Sequence, residues 1–203
     1  MILSKIITFI IIMKEKSIRL YEEIFLYYIS KNEAVYFKGK VRLKGIPLID
    51  IRKDAKLIIG DNVMLASRNK GYHLNMHSAV KLMADRKDAV ISIGDNTRIH
   101  GTCVHAYTSI TIGENCLIAG NCQIIDGNGH SLSFSNVKNR INTNGYSKAI
   151  IIENNVWIGA NSIILPGVRI GNGSIISANS VVNKDIPDMV IAGGNPAIVI
   201  KKY

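Results

Sequence analysis

Histidine is the side chain best suited to proton transfer near neutral pH, because the unperturbed pKa of its imidazole lies near 6.5. The chain has five histidines. His130 ends the segment IIDGNGH and directly precedes a Ser- and Asn-rich stretch of the kind that forms a loop. Because functional residues concentrate on loops held by a rigid scaffold, His130 is one candidate for proton transfer among the five histidines. Asp126 and Asn128 are predicted to orient the imidazole or bind an acceptor, with simple turn chemistry as the alternative.

The composition argues against several kinds of site and partner. The formal charge is +10, and residues 1–90 hold 17 basic and 9 acidic residues, which indicates a basic surface, an anionic membrane contact or a phosphate-bearing ligand. Nucleic acid is not expected, because no aromatic-plus-basic ladder or recognition motif is present. The three dispersed cysteines do not predict a disulfide framework. No CxxC or paired-histidine spacing occurs, so no metal site is predicted.

The N-terminal stretch MILSKIITFIIIM is strongly apolar but too short to span a bilayer comfortably. No small-residue cleavage site follows it. Apolar residues then continue near helical spacing, so we predict one or two amphipathic helices over 3–31. These helices would pack on the main domain or a neighbouring subunit, or would lie against a membrane surface.

A six-residue period dominates the rest of the chain. Large aliphatic residues recur at Ile59, Ile93, Ile99, Ile112, Ile118, Ile124, Ile152, Ile158, Ile164, Ile170, Ile176 and Val182. Three positions later the residue is mostly Asn or Gly, which accept a positive φ at least cost. The next position is small, and includes Cys103, Cys116 and Cys122, so the cysteines are interpreted as packing residues. Each unit is read as a short strand and a corner, and three units make one coil of a stacked solenoid.

The period breaks twice, at about 68–90 and 131–149, which predicts loop insertions on a functional face. The predicted organisation is a helical segment over 1–33, a β-helix over 34–186 and a capping tail over 187–203. Pro187 supports the last boundary, because proline cannot donate to a strand ladder.

The other histidines fall into two pairs. His100 and His105 precede His130 by about one coil or slightly more, so they could lie beside it on the stack and contact an acceptor. His73 and His77 lie in the first insertion, with Tyr72, Lys81 and Arg86. If this insertion folds over the active site, it would help to select a substrate; the alternative is an ordinary solvated loop.

The segments NVWIGANSIILPGV, NKDIP and AGGNPA resemble the C-terminal half of the hexapeptide-repeat acyltransferases, above all the galactoside, maltose and surface-polysaccharide O-acetyltransferases. The resemblance covers residues 91–203. It implies an all-β fold, a left-handed parallel β-helix that assembles as a homotrimer. It also implies acetyl-CoA as the donor, bound in a groove between neighbouring coils, and a cytoplasmic location, with membrane contact through the N-terminal segment as a further hypothesis.

The resemblance assigns the general base to His130. It assigns Trp157 to the flank of the coenzyme A groove, and Ala160 and Ala178 to backbone contacts with the pantetheine arm. It assigns Asn183, Lys184 and Lys201 to the nucleotide end of the coenzyme. One departure is Ile198, which stands where relatives often carry an arginine.

These observations predict an acetyl-CoA-dependent O-acetyltransferase for a sugar hydroxyl, in the synthesis of a capsule, lipopolysaccharide or exopolysaccharide. A base must take the hydroxyl proton as the bond to the thioester carbonyl forms, and backbone N–H groups would stabilise the oxyanion. Two alternatives stay open: an N-acetyltransferase for an amino sugar or nucleotide sugar, and a β-helix that serves as a non-catalytic scaffold.

Overall fold

Three sheets, parallel except for the last strand of the second, wind around one aliphatic core in the computed structural model, which describes residues 2–203. The first face contains β1 (Val35–Phe37), β4 (Lys56–Ile59), β7 (Val90–Ile93), β10 (Ser109–Ile112), β13 (Ile150–Ile152) and β16 (Arg169–Ile170). The second face contains β2 (Val41–Lys44), β5 (Val63–Ala66), β8 (Arg98–His100), β11 (Leu117–Ile118), β14 (Trp157–Ile158), β17 (Ile175–Ile176), β19 (Val190–Gly194) and β20 (Ala197–Lys202). The third face contains β3 (Leu48–Ile51), β6 (Lys81–Ala84), β9 (Cys103–Ala106), β12 (Gln123–Ile125), β15 (Ile163–Ile164) and β18 (Val181–Val182).

The six-residue period predicts most of this architecture. All the aliphatic residues of the period are buried in one core cluster. The corners turn through residues with positive φ, which are Asn62, Asn96, Asn115, Asn121, Asn155, Asn161, Gly167, Gly173 and Asn179. The structure is therefore a parallel β-helix, and the left-handed winding stays a prediction.

Two details of the predicted register are wrong. Gly101 rather than Thr102 takes the positive φ, so Thr102 fills the small interior slot and Val104 follows in the core. Cys103 therefore faces outward and is half-buried, whereas the other two cysteines are interior. The first insertion is shorter than 68–90, because β6 already pairs with β3 and β9.

One helix, α1 (Ile2–Ile29), precedes the β-helix, where one or two helices were predicted over 3–31. Near its C-terminus, Leu26 and Ile29 pack against the core. The Glu22 carboxylate also accepts a 2.6 Å hydrogen bond from the N–H of Gly45. No helix within residues 2–203 has the length and apolarity needed to cross a membrane.

The chain ends in a hairpin of the second face. β19 runs parallel to β17, and β20 returns antiparallel to β19. Residues predicted to cap the solenoid thus extend one of its sheets, with Val190, Ala192 and Ala197 buried at the end of the core. The second insertion contains a 3-10 helix, Val137–Asn142.

Candidate active site

A groove of about 820 Å³ runs across the second face of the β-helix. Its floor is an outward-facing row of Leu117, Trp157, Ile175 and Ile191, which the strand register places side by side. Since neighbouring strands lie about 4.8 Å apart, this apolar row is roughly 14 Å long. Trp157 is half-exposed, and such an apolar surface rimmed by polar residues is typical of a binding site.

Equivalent corner residues follow three successive strands of this face: Gly120, Ala160 and Ala178. The N–H of Gly120 donates a 2.9 Å hydrogen bond to the hydroxyl of Tyr72. Within residues 2–203, no group accepts a hydrogen bond from the N–H of Ala160 or Ala178. Both of these alanines line the groove, so two backbone donors there are available to a ligand.

The N-terminal end of the groove is basic and aromatic. Lys44 and Arg98 line it together with His73 and His100. The Tyr72 ring stacks on the His100 ring, with centroids 4.4 Å apart and planes 13° from parallel. A flat aromatic surface therefore lies next to two cationic side chains.

The His100 ring is held in one tautomer. Its Nδ1 lies 3.2 Å from the carbonyl oxygen of Ile118, and because a carbonyl only accepts, Nδ1 carries the proton and Nε2 is left free. Burial lowers the pKa of His100; the hydrogen bond to Ile118 opposes this, and the charges of Lys44 and Arg98 lower it further. The imidazole is therefore neutral at physiological pH.

Asparagine side chains hold the backbone of the first insertion through hydrogen bonds. Asn69 accepts from the N–H of Met76 at 2.6 Å and donates to the carbonyl of the same residue at 3.2 Å. Asn121 accepts from the N–H of His77 at 2.8 Å and donates to the carbonyl of Asn75 at 3.0 Å. These contacts fix the segment that carries Tyr72 into the groove.

A second cleft, of about 580 Å³, lies at the corner between the third and first faces. It contains Asn128 and His130, both exposed. Nδ1 of His130 lies 3.3 Å from the carbonyl oxygen of Thr143, so this hydrogen bond also requires the proton on Nδ1. Nε2 then presents a free lone pair, the arrangement that a general base needs.

Contacts at the two ends of the second insertion hold this cleft in place. Asn128 donates its N–H to the carbonyl of Tyr146 at 2.8 Å, and Gly145 lies so close to the Asn128 carbonyl that a Cβ would overlap it. The Arg86 guanidinium donates to the carbonyl of Gly145 at 3.2 Å and covers the Tyr107 ring at 4.3 Å. The His130 loop is thus tied to the coil below it.

Two family models match separate parts of the β-helix. The model for bacterial transferase hexapeptide (six repeats) matches residues 149–184, and the model for the hexapeptide repeat of succinyl-transferase matches residues 90–125. The galactoside O-acetyltransferase of Escherichia coli (strain K12) is 46% identical over 103 residues, which are 50% of this chain and 47% of that protein. The chain spans about half or less of the curated relatives that it matches first.

The crystal structure of the polySia-specific acetyltransferase NeuO is 33% identical in sequence and superposes with a TM-score of 0.51. The match covers 83% of this chain and 70% of that one. The chain belongs to the hexapeptide-repeat acetyltransferase family. A galactoside acetyltransferase in complex with coenzyme A also matches, with 27% identity and a TM-score of 0.54, over 92% of this chain and 81% of that one.

Three of the donor residues predicted for this family member lie together, because Trp157, Ala160 and Ala178 all line the groove. Lys201 pairs with Ile191 at the C-terminal end of the row, and its ammonium group lies 4.2 Å from the centre of the Tyr203 ring. Asn183 and Lys184 are exposed and are not among the groove-lining residues. The donor roles of all six residues stay predictions.

The predicted acceptor residues do not form one group. His100 lies in the groove, whereas Asn128 shares the cleft of His130. His105 lines neither, and its Nε2 is 3.4 Å from a carboxylate oxygen of Asp85, too poorly aligned for a hydrogen bond. The structure thus separates residues that the sequence placed on one stack.

Asp126 differs from its prediction most clearly. Its side chain is fully buried and accepts hydrogen bonds from the N–H groups of Tyr107, Thr108 and Ser109, at 2.6, 2.8 and 2.7 Å. A carboxylate committed in this way shapes the corner and cannot contact an acceptor or His130 directly. The alternative interpretation, turn chemistry, describes it better.

Two supporting residues, Tyr107 and Gly145, have no role predicted from the sequence. Tyr72 and Arg86 lie in the predicted first insertion, but nothing in the period indicates which partners they meet. For Gly145 the sequence does contain a signal, because an Asn-Gly pair such as 144–145 marks a tight turn.

Proposed function

We propose that this protein is an acetyl-CoA-dependent O-acetyltransferase that modifies a sugar hydroxyl of a surface polysaccharide. The observation that carries the proposal is the exposed imidazole of His130, whose Nδ1 is held by Thr143 and whose Nε2 is free. Relatives named for galactosides and for polySia support a sugar as the acceptor.

The groove of the second face fits the donor. When bound, coenzyme A supplies an acetyl thioester, whose carbonyl carbon is open to attack. The row around Trp157 packs against the pantetheine arm, and the N–H groups of Ala160 and Ala178 donate to its amide carbonyls. In this proposal Lys184 and Lys201 bind the phosphates at the nucleotide end as point charges, and Asn183, next to Lys184 in the sequence, is a polar partner.

His130 acts as the base in this proposal. Its Nε2 takes the proton of the sugar hydroxyl while the hydroxyl oxygen bonds to the carbonyl carbon. The displaced electron pair rests on the carbonyl oxygen, where backbone N–H groups stabilise it. When that pair returns, the bond from carbon to sulfur breaks, and His130 passes its proton to the departing sulfur. Asn128, in the same cleft, contacts the acceptor.

The positions of the two clefts favour a site shared between copies. His130 lies at the corner between the third and first faces, whereas the groove lies on the second face and ends at its corner with the third. A homotrimer closes such a heterologous contact around a threefold axis, which would bring His130 of one copy to the groove of the next.

Helix α1 supports peripheral contact with the cytoplasmic face of a membrane. Exposed apolar residues surround its N-terminal half on every side: Ile6, Ile7, Phe9, Ile10, Ile11, Ile12 and Met13. Glu15, paired with Arg68 at 3.1 Å and Lys70 at 2.7 Å, ties the next turn to the β-helix. A helix that is apolar all round needs a covering surface, and lipid provides one. Sedimentation with anionic vesicles tests this: the wild type should pellet, and an Ile10→Glu variant should stay in the supernatant.

The transferase proposal is tested by the release of free thiol from acetyl-CoA in the presence of a panel of sugars. His130→Gln should lower kcat by about 10²- to 10⁴-fold, because it removes the base. His77→Gln, which changes an exposed histidine outside both clefts, is the matched control and should keep full activity. Both variants should keep the wild-type oligomer mass and the stabilisation by coenzyme A in a thermal-shift titration. Full activity of His130→Gln would end the assignment, and an acetyl product stable to mild alkali would favour an amine acceptor.

A further inference from the structure

The N-terminal end of the groove holds positive charge that lacks a partner. Lys44 and Arg98 are both exposed, and neither forms an ion pair with any carboxylate within residues 2–203. No aspartate or glutamate is among the residues that line the groove. Two cations on the wall of a concave site raise the local concentration of anions.

These cations lie far from the proposed nucleotide end. The strand register runs in steps from Arg98 through Leu117, Trp157, Ile175 and Ile191 to Lys201. Five steps of about 4.8 Å separate Arg98 from Lys201 by roughly 24 Å. If the phosphates of the donor lie at the Lys201 end, the thioester points toward Leu117, and Arg98 faces the molecule that attacks it.

The surface around the cations suits a sugar. Tyr72 and His100 form a stacked pair beside them, and the Tyr72 hydroxyl is already used by the N–H of Gly120. Because His100 is neutral with a free Nε2, it can accept a hydrogen bond from a sugar hydroxyl. Charge recognition is therefore left to Lys44 and Arg98, and the planar fork of Arg98 matches the two oxygens of a carboxylate or phosphate.

We propose that Lys44 and Arg98 bind an anionic group of the acceptor, a carboxylate or a phosphate, so that the protein selects an acidic glycan. This inference rests on the proposed transferase function, and it names the class of acceptor. The acid would lie beside Lys44 and Arg98, with a hydroxyl of the same or a neighbouring sugar placed at the thioester.

The first experiment measures binding to the full-length protein by fluorescence anisotropy at physiological salt. The probes are a fluorescein-labelled tetragalacturonate and the same oligosaccharide with its carboxylates methyl-esterified. The wild type should bind the acid at least tenfold more tightly than the ester. Lys44→Gln/Arg98→Gln should weaken binding of the acid at least tenfold. The control Lys53→Gln/Lys56→Gln removes the same charge outside the groove, from exposed residues, and should change binding less than twofold.

Competition with unlabelled glucuronate and glucose 6-phosphate then distinguishes the two anions, since the better competitor carries the preferred group. An equal loss of affinity in the groove variant and its control would refute the proposal, because net charge alone would explain the binding. Equal binding of acid and ester by the wild type, or none of either, would also refute it.

A second titration separates this inference from the proposed function. Trp157 is the only tryptophan, so its fluorescence reports coenzyme A in the groove. Lys44→Gln/Arg98→Gln should bind coenzyme A within twofold of the wild type, whereas Lys184→Gln/Lys201→Gln should bind it at least fivefold more weakly. A selective loss of coenzyme A affinity in the first variant would place the nucleotide at the basic end and overturn the inference. If neither the wild type nor any variant binds coenzyme A, but the wild type still prefers the acidic probe, the transferase proposal fails and the anion site stands.

Discussion

Substituting Asp126 with asparagine distinguishes a substrate-binding residue from a structural one. The buried carboxylate has three backbone donors, one on Oδ1 and two on Oδ2. An asparagine has a single acceptor oxygen, and its amide group donates. It can flip so that the oxygen stays on Thr108 and Ser109, and then the N–H of Tyr107 meets another donor.

The smallest expected cost is therefore one lost hydrogen bond to a charged acceptor, about 1.5–3 kcal/mol, with the unpaired N–H of Tyr107 left in the corner. The two remaining bonds also weaken, because their acceptor is no longer ionised. We expect the Asp126→Asn variant to lose about 2–4 kcal/mol of its free energy of unfolding.

The assay is urea unfolding followed by circular dichroism, at one protein concentration because the oligomer contributes to stability. The matched control is Asp95→Asn, whose Oδ1 accepts a single hydrogen bond, from the N–H of Asp61, in a half-buried corner of another coil. An asparagine keeps that acceptor, so the control should change stability by less than about 0.5 kcal/mol. If Asp126→Asn unfolds at the same urea concentration as the control but loses transfer activity, the turn interpretation is wrong and the residue contacts substrate.

Three further predictions concern the groove, the loop and the interior thiols. Trp157→Ala should weaken coenzyme A at least tenfold in a calorimetric titration, because it removes the largest apolar surface of the row, while Tyr36→Ala on the first face should leave it unchanged. Gly145→Ala should lower kcat, because its Cβ would overlap the backbone of Asn128 and must displace that segment and with it His130; an unchanged kcat would show that the loop tolerates the shift. Burial raises the pKa of Cys122 to about 11, so at pH 8 the folded protein should leave this thiol unalkylated by iodoacetamide, and mass spectrometry of labelled peptides checks this.

The sequence predicts the repeated part of the fold well because every six-residue unit has the same order of residue types. An isoleucine needs the interior, an asparagine accepts the left-handed corner, and a small residue such as Cys116 fits beside it. The rule fails where one residue fewer separates Ile99 from the next interior side chain, Val104. There a glycine takes the corner first, and periodicity cannot choose between adjacent candidates that both tolerate the turn.

The candidate site is less predictable, since its contacts join segments outside the period. Nothing in the spacing of Tyr72 and His100 reveals that their rings stack, because the first insertion must fold back before they meet. The contact of Arg86 with Gly145 likewise joins residues from two different breaks in the register. Such long-range contacts depend on loop conformation, which the six-residue rule does not specify.

The regular coils and the two insertions differ in what they can bind, for a physical reason. Successive coils offer the same groups at a fixed spacing of about 4.8 Å, as the N–H groups of Ala160 and Ala178 do, and a regular row of this kind suits a long linear ligand arm. A catalytic base instead acts on one proton within hydrogen-bond reach, so a single imidazole at one place is enough. His130 lies where the second insertion leaves the solenoid, and Tyr72 lies in the first insertion. In the proposed enzyme the repeats therefore hold the donor, and the breaks supply the base and choose the acceptor.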